Sequence, residues 1–275
     1  MSMEEGPARS TGLPVPERTP LLRWTSLKVV FGCDLRTLAL FRINMALLIL
    51  TDLALRSRDL VAHYTDLGIL PRADYLEWLG AGVTSLHFIS GSPLVQGLLF
   101  LLSAAVALAL LVGYRTRAAT ILSWLLLLSL ENRNHMILQG GDMLLLLLLF
   151  WGMFLPLGAR FSVDRAMAPG EGPAGNRYFS AATVALLIQC MCVYFFTALL
   201  KTSPVYLPEG TAVYYALQLD SFATPIGHWL ANFPLILHWL TYYVWWLEIL
   251  GPFFIFVPIL FLPFRLITLF FLIVM

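Results

Sequence analysis

What most constrains this chain is the recurrence of apolar runs about as long as a lipid bilayer is thick. Leu94 to Val112 and Phe179 to Leu200 contain no charged residue, and about 20 apolar residues in a helix suffice to cross a hydrocarbon core of about 30 Å. Such runs predict spans at about 35 to 54, 94 to 112, 117 to 130, 143 to 157, 179 to 200, 229 to 250 and 253 to 275. The expected fold is therefore all-α, a polytopic transmembrane helical bundle of about seven spans. Composition agrees: 59% of the 275 residues are hydrophobic and 12% charged, against about a quarter charged in a soluble domain.

Residues 1 to 33 hold Pro7, Pro14, Pro16 and Pro20 together with Arg9, Arg18, Arg23 and Lys28. This reads as a cytoplasmic tail with a surface helix after Pro20, and it lacks the short apolar core and small-residue cleavage site of a signal peptide. The rest, 34 to 275, reads as one transmembrane domain. Its last apolar run is still in progress at Met275, which predicts a fragment of a longer protein. Between the first two spans, Asp66, Gly68, Pro71 and Asp74 break any single helix. Tyr64, Tyr75, Trp78 and Phe88 there fit a pair of interfacial helices resting on the membrane.

The positive-inside rule sets the orientation. With the amino terminus in the cytoplasm, Arg36, Arg115, Arg117, Arg160, Arg165 and Arg177 join the basic tail there. Only Arg56, Arg58, Arg72, Arg133 and Lys201 fall on the other side. That arrangement places residues 131 to 142 and 201 to 228 together on the non-cytoplasmic side. The net charge is +1, with basic residues scattered between helices, so no surface for nucleic acid is expected. Cys33, Cys190 and Cys192 lack metal-ligand spacing and read as buried inert thiols. His63, His87, His228 and His238 form no close ligand pair, so no metal site is predicted.

The third and fourth spans, Ala118 to Leu130 and Met143 to Leu157, give only about 20 and 23 Å of helix. Their connection, residues 131 to 142, should therefore dip below the outer membrane surface, where irregular polar backbone survives only against protein or trapped water. His135 in that segment either orients a bound ligand, caps a helix or bridges to a buried carboxylate. Asp142, after Gly140-Gly141, reads as the N-cap of the fourth span.

Lys201 ends the run Tyr194-Phe195-Phe196-Thr197-Ala198-Leu199-Leu200, and Thr202-Ser203-Pro204 then breaks the helix. An ammonium beside such apolar residues loses hydration, and a neutral amine can accept a proton; the alternative is a lysine snorkelling to the interface as an anchor. Arg42, Asp52 and Glu248 lie in or at the ends of spans, where an unpaired charge is costly. Each needs a partner, and Arg42 and Glu248, both toward the cytoplasmic side, are expected to pair as structural polar residues.

Several segments together resemble the horizontally transferred transmembrane (HTTM) domain, the membrane domain of vitamin K-dependent gamma-glutamyl carboxylases and of many bacterial proteins. The resemblance rests on Phe41-Arg42-Ile43 with Asp52, on Tyr64-Thr65-Asp66-Leu67-Gly68-Ile69-Leu70-Pro71-Arg72, and on Asn132-Arg133-Asn134-His135 with Gly140-Gly141-Asp142. Leu155-Pro156-Leu157-Gly158 with Phe161-Ser162-Val163-Asp164 continues it. It implies a lyase that couples oxygenation of reduced vitamin K, or a related quinol, to gamma-carboxylation of glutamate in a peptide, in a bacterial cytoplasmic membrane. By the same resemblance Lys201 and His135 would be catalytic. Asn134, Arg133, Tyr194, Phe195 and Phe196 would border the quinone. Vertebrate carboxylases place two lysines together, whereas here Leu200 precedes Lys201.

Two other function classes fit the same residues. One is a non-enzymatic membrane module whose pocket holds quinone, lipid or a partner segment. A small-solute transporter is the other, but it calls for an internal repeat, and none is visible.

Overall fold

A computed structural model describes residues 26–79, 83–168, 170, 175–219 and 223–274. The chain begins with α1 (Leu27–Val30) and the two-residue strand β1 (Cys33–Asp34), and then enters α2 (Leu35–Ser57). Short helices α3 (Leu60–Tyr64) and α4 (Arg72–Leu79) and a 3-10 turn at Leu86–Phe88 lead to α5 (Pro93–Val112) and α6 (Thr116–Arg133). A second 3-10 turn, His135–Ile137, connects to α7 (Gly140–Gly152), followed by α8 (Val163–Met167) and β2 (Arg177–Tyr178). The remainder is α9 (Ala181–Leu200), α10 (Ala212–Ala216), α11 (Pro225–Leu230), α12 (Pro234–Phe254) and α13 (Phe261–Val274). β1 and β2 pair antiparallel, Cys33 opposite Tyr178, and tie the start of α2 to the start of α9.

The fold is a helical bundle. α2, α5 and α9 are long and apolar enough to cross a membrane. Their outward faces agree with that: Leu40, Leu47 and Leu48 of α2 and Leu94, Leu98 and Leu101 of α5 are exposed, an arrangement stable against lipid and costly against water. Packing runs in series, α2 on α5, α5 on α6, α6 on α7, α7 on α9 and α9 on α12, with α13 on α12. Ala46 of α2 and Ala107 of α5 are fully buried, and residues this small let two helix backbones approach closely. Around them Met45, Ile49, Phe100, Leu127, Leu130 and Leu149 form the main core.

Several expectations need correction. The third helix does not stop at Leu130: α6 has 18 residues and carries Glu131, Asn132 and Arg133 inside the helix, giving about 27 Å rather than 20. α7 is shorter than predicted, with 13 residues. The irregular link between them is confined to residues 134–139, because the Asn134 side chain accepts the Met136 N–H and starts a 3-10 turn at once. Asp142 is not the N-cap of α7. That position is Gln139, and Asp142 stands three residues on, its carboxylate accepting the Gln139 N–H at 2.7 Å in a reciprocal capping box.

The break placed near residue 251 falls instead at 255–260, since Gly251 and Pro252 continue α12. Tyr64 and Tyr75 do not rest on the membrane; both are fully buried against the bundle, and Trp78 is the exposed aromatic of that segment. The three cysteines are free and half-buried. Most of the amino-terminal tail, residues 1–25, lies outside the described residues.

Candidate functional site

Lys201 is the C-cap of α9, and its ammonium lies 2.6 and 2.5 Å from the two carboxylate oxygens of Glu248 on α12. This overturns the expected pairing of Arg42 with Glu248. Lys201 is not left as an isolated anchor either. The pair is largely sealed, with the Lys201 side chain 19% and the Glu248 side chain 5% exposed. Glu248 lies about 21 Å along α12 from its start at Pro234, so α12 continues well past the end of α9. The chain after Lys201 packs on that extension. Val213 donates its N–H to the Thr241 hydroxyl at 3.2 Å, and His238 donates Nδ1–H to the Glu209 carbonyl at 3.0 Å. The Tyr242 hydroxyl also bonds to the Pro208 carbonyl. Tyr206 from this covering segment places its ring 5.4 Å from the Lys201 ammonium, an attractive cation–π geometry.

Farther down α9, Tyr194 and Phe195 are half-buried and Phe196 is exposed. Phe195 packs edge-on against Phe253 of α12 at 5.5 Å. Tyr194 lies seven residues before Lys201, two helical turns away on the same face of α9. Its hydroxyl has no hydrogen-bond partner among the described residues.

A second polar cluster closes the end of α6. Arg133 is fully buried and donates one hydrogen bond, from Nη2 to the Leu70 carbonyl at 2.9 Å. Its Nε and Nη1 have no partner among the described residues. Asn134 donates from Nδ2 to the His63 carbonyl at 3.2 Å. The hydroxyl of buried Tyr75 accepts the His135 backbone N–H at 3.2 Å and is hydrogen-bonded to the His135 Nδ1. His135 is otherwise exposed, and its Nε2 has no partner among the described residues. Asn134 and His135 thus spend most of their polar atoms holding α6 to α3 and α4.

The neighbouring Asp66-Leu67-Gly68 segment is a structural latch. Asp66 accepts from the Arg72 backbone N–H and from its guanidinium at 2.8 to 3.0 Å. These bonds from Arg72 hold the Asp66 carboxyl below its ordinary range. Arg72 also donates to the Phe88 carbonyl at 2.9 Å. A Cβ at Gly68 would lie 2.2 Å from the Ala62 carbonyl oxygen, so only glycine fits there.

Beside this cluster, Arg56 joins three elements. It contacts Asp52 at 2.7 Å one turn back on α2, Asp142 of α7 at 2.8 Å and the Tyr64 hydroxyl of α3 at 3.0 Å. Glu131 is 2% exposed, and its Oε1 has no hydrogen-bond partner among the described residues. Sequence reasoning missed Arg56, Glu131 and the inward roles of Tyr64 and Tyr75. The i, i+4 spacing of Asp52 and Arg56 was the available signal. On the opposite side of the bundle, Arg42 is fully buried, and its Nη2 donates to the Phe161 carbonyl at 2.6 Å.

The two clusters are built on different elements, and among the described residues no hydrogen bond or ion pair joins Lys201 to Asn134 or His135. No group of three His, Cys, Asp or Glu side chains gathers there as a metal-binding set. Comparison with family profiles, curated proteins and solved structures yields no match to this chain.

Proposed function

We propose that this chain is a multi-pass membrane enzyme, similar to the vitamin K-dependent gamma-glutamyl carboxylases, in which the Lys201–Glu248 pair receives a proton from a membrane quinol. In this reading α6, α7, α12 and α13 cross the bilayer together with α2, α5 and α9. The amino terminus lies in the bacterial cytoplasm and Lys201 toward the opposite side. The observation that carries it is a lysine and a glutamate 2.5 Å apart in a nearly sealed site between two apolar helices. A buried ion pair is a poor source of stability compared with apolar packing, and ionisable groups at membrane depth usually mark proton or ligand chemistry.

The pair solves a problem that a lone lysine would face. Transfer of the ammonium proton to Glu248 leaves a neutral amine at Nζ and a neutral acid, with no net change in charge. That amine would be able to accept a proton from a quinol hydroxyl, and the ammonium so formed would offset the negative charge left on the ring. The Tyr194 hydroxyl, on the Lys201 face of α9 and without a hydrogen-bond partner among the described residues, fits a ring entering from lipid along that helix. When bound, the quinol supplies, through reaction with oxygen, a base strong enough to remove a glutamate γ-proton before capture of carbon dioxide. His135, whose Nε2 is exposed, would be the donor from the α6–α7 link to the same ligand, with buried Arg133 and Asn134 fixing the backbone behind it.

Quinol oxidation and epoxidation are measured on detergent-purified wild type, Lys201→Ala and the double variant Lys201→Ala/Glu248→Ala. The double variant removes both charges and so avoids stranding one. Loss of turnover in both, with the double variant still folded, is the expected result. Turnover equal to wild type in either removes Lys201 as the base.

A second reading is a non-enzymatic member of the same kind that binds quinone, lipid or a partner segment. It is favoured by the engagement of Asn134 and His135 in internal hydrogen bonds. Quinone binding without turnover in any variant would select it.

A further inference from the structure

A cleft of about 510 Å³ lies at the other end of the bundle from the α6–α7 link, between the start of α6 and the turn that follows α7. Its walls include Met153, Phe154, Leu155 and Leu157, which are apolar, and Arg117, Thr120 and Tyr178, which are not. In the membrane reading proposed above, the polar groups stand at the level of the membrane surface. Candidate span α5 ends at Val112, shortly before Thr116 and Arg117, and candidate span α9 begins at Ala181, shortly after Tyr178. The cleft therefore opens where lipid headgroups meet acyl chains, the depth at which tyrosine and arginine side chains are favoured.

Its free polar groups are of one kind. Arg117 is exposed, and neither its guanidinium nor the Tyr178 hydroxyl has a hydrogen-bond partner among the described residues. Thr120 donates its hydroxyl to the Thr116 carbonyl at 2.8 Å. Asp164, the acid in the cleft wall, is engaged by the fold. It accepts the Arg115 N–H, the Thr116 N–H and the Thr116 hydroxyl, each at 2.7 Å. The cleft thus offers two donors, one of them cationic, beside an apolar wall, with its own carboxylate bonded to the fold.

We infer that this cleft binds an anionic glycerophospholipid, its phosphate held by Arg117 and the Tyr178 hydroxyl and the upper part of an acyl chain lying on Met153, Phe154 and Leu157. The volume accepts a headgroup and the first stretch of one chain. With the Asp164 carboxylate engaged by the fold, Arg117 is the charge the cleft offers a ligand, and arginine pairs with phosphate in a fixed, two-pronged geometry; in the orientation proposed above the cleft faces the leaflet that carries anionic lipid. The site is independent of any chemistry at Lys201.

The test uses the full chain in detergent with phosphatidylglycerol and phosphatidylcholine of identical acyl chains, and glycerol phosphate as the soluble headgroup. Lipid retention is read by native mass spectrometry and stabilisation by thermal unfolding. Phosphatidylglycerol should be retained over phosphatidylcholine and should raise the melting temperature. Arg117→Gln/Tyr178→Phe should reduce its retention about tenfold, the loss expected with one charge-assisted hydrogen bond. Neither side chain has a partner among the described residues, so the variant should melt like wild type in lipid-free detergent, and Arg58→Gln, at the far end of α2, should retain lipid like wild type. Equal retention of the two lipids, or full retention by the double variant, overturns the inference. Stabilisation by glycerol phosphate equal to that by the lipid would assign the cleft to a soluble anion instead.

Discussion

The ammonium of Lys201 and the carboxylate of Glu248 meet at 2.5 Å across the α9–α12 contact, although 47 residues separate them in the chain. Because Glu248 is almost fully buried, its charge is tolerable only while a partner stays beside it. The two residues are therefore a single electrostatic unit, and removing one changes the other.

This unit predicts a non-additive pattern of stability. Lys201→Met leaves a buried carboxylate and Glu248→Gln a sheltered ammonium, so each single variant should lose roughly 3 kcal/mol. The double variant Lys201→Met/Glu248→Gln should be closer to wild type than the sum of the singles. Denaturation of all four proteins in one detergent completes the cycle. Additive losses would mean that the two side chains do not interact energetically.

The turn between α5 and α6 predicts intolerance at Gly113. Its φ is +72°, and a Cβ there would lie 2.0 Å from Nη1 of Arg42. Gly113→Ala must therefore strain the backbone and displace a guanidinium that is fully buried and bonded to the Phe161 carbonyl. A loss of about 2 kcal/mol or more is expected, read as a lowered melting temperature. Gly97→Ala, where a Cβ meets nothing within 4 Å, should be neutral or slightly stabilising.

A pH response should follow from His87, in the loop before α5. Burial is the main cause lowering its pKa below the ordinary 6.5, against a smaller upward pull from its 2.6 Å hydrogen bond to Gln96. The folded state thus binds the proton more weakly than the unfolded state. His87 contributes stability that is full above pH about 6.5 and is lost as pH falls through the lower folded-state value, at up to about 1.4 kcal/mol per pH unit. Thermal unfolding from pH 7.5 to 5 should show this decline, and His87→Gln should flatten it. An unchanged slope in the variant would assign the response to another group.

The sequence alone determined that this chain is helical and suited to a bilayer, because hydrocarbon admits few solutions to backbone hydrogen bonding and an uncharged run like Leu94 to Val112 satisfies the commonest of them. It also located the end of α9 at Lys201, since Thr202-Ser203-Pro204 cannot continue a helix, and it singled out the Arg133-Asn134-His135 segment as a concentration of polar residues. The limits of α6 were harder to read. Hydropathy stops at Leu130, whereas the helix continues through Arg133 because Glu131 and Arg133 are covered by neighbouring elements rather than released to water.

Only the tertiary structure decided which charges meet. Arg42 bonds to a carbonyl in the turn before α8 and Glu248 to Lys201, and Asp52 shares Arg56 with Asp142. Partner choice depends on the rotation and depth of each helix against its neighbour, quantities set by packing of side chains such as Ala46 and Ala107. An apolar run fixes neither of them. Sequence could say that every buried charge needs a partner; the packing of α2, α6, α9 and α12 determined which one it obtained.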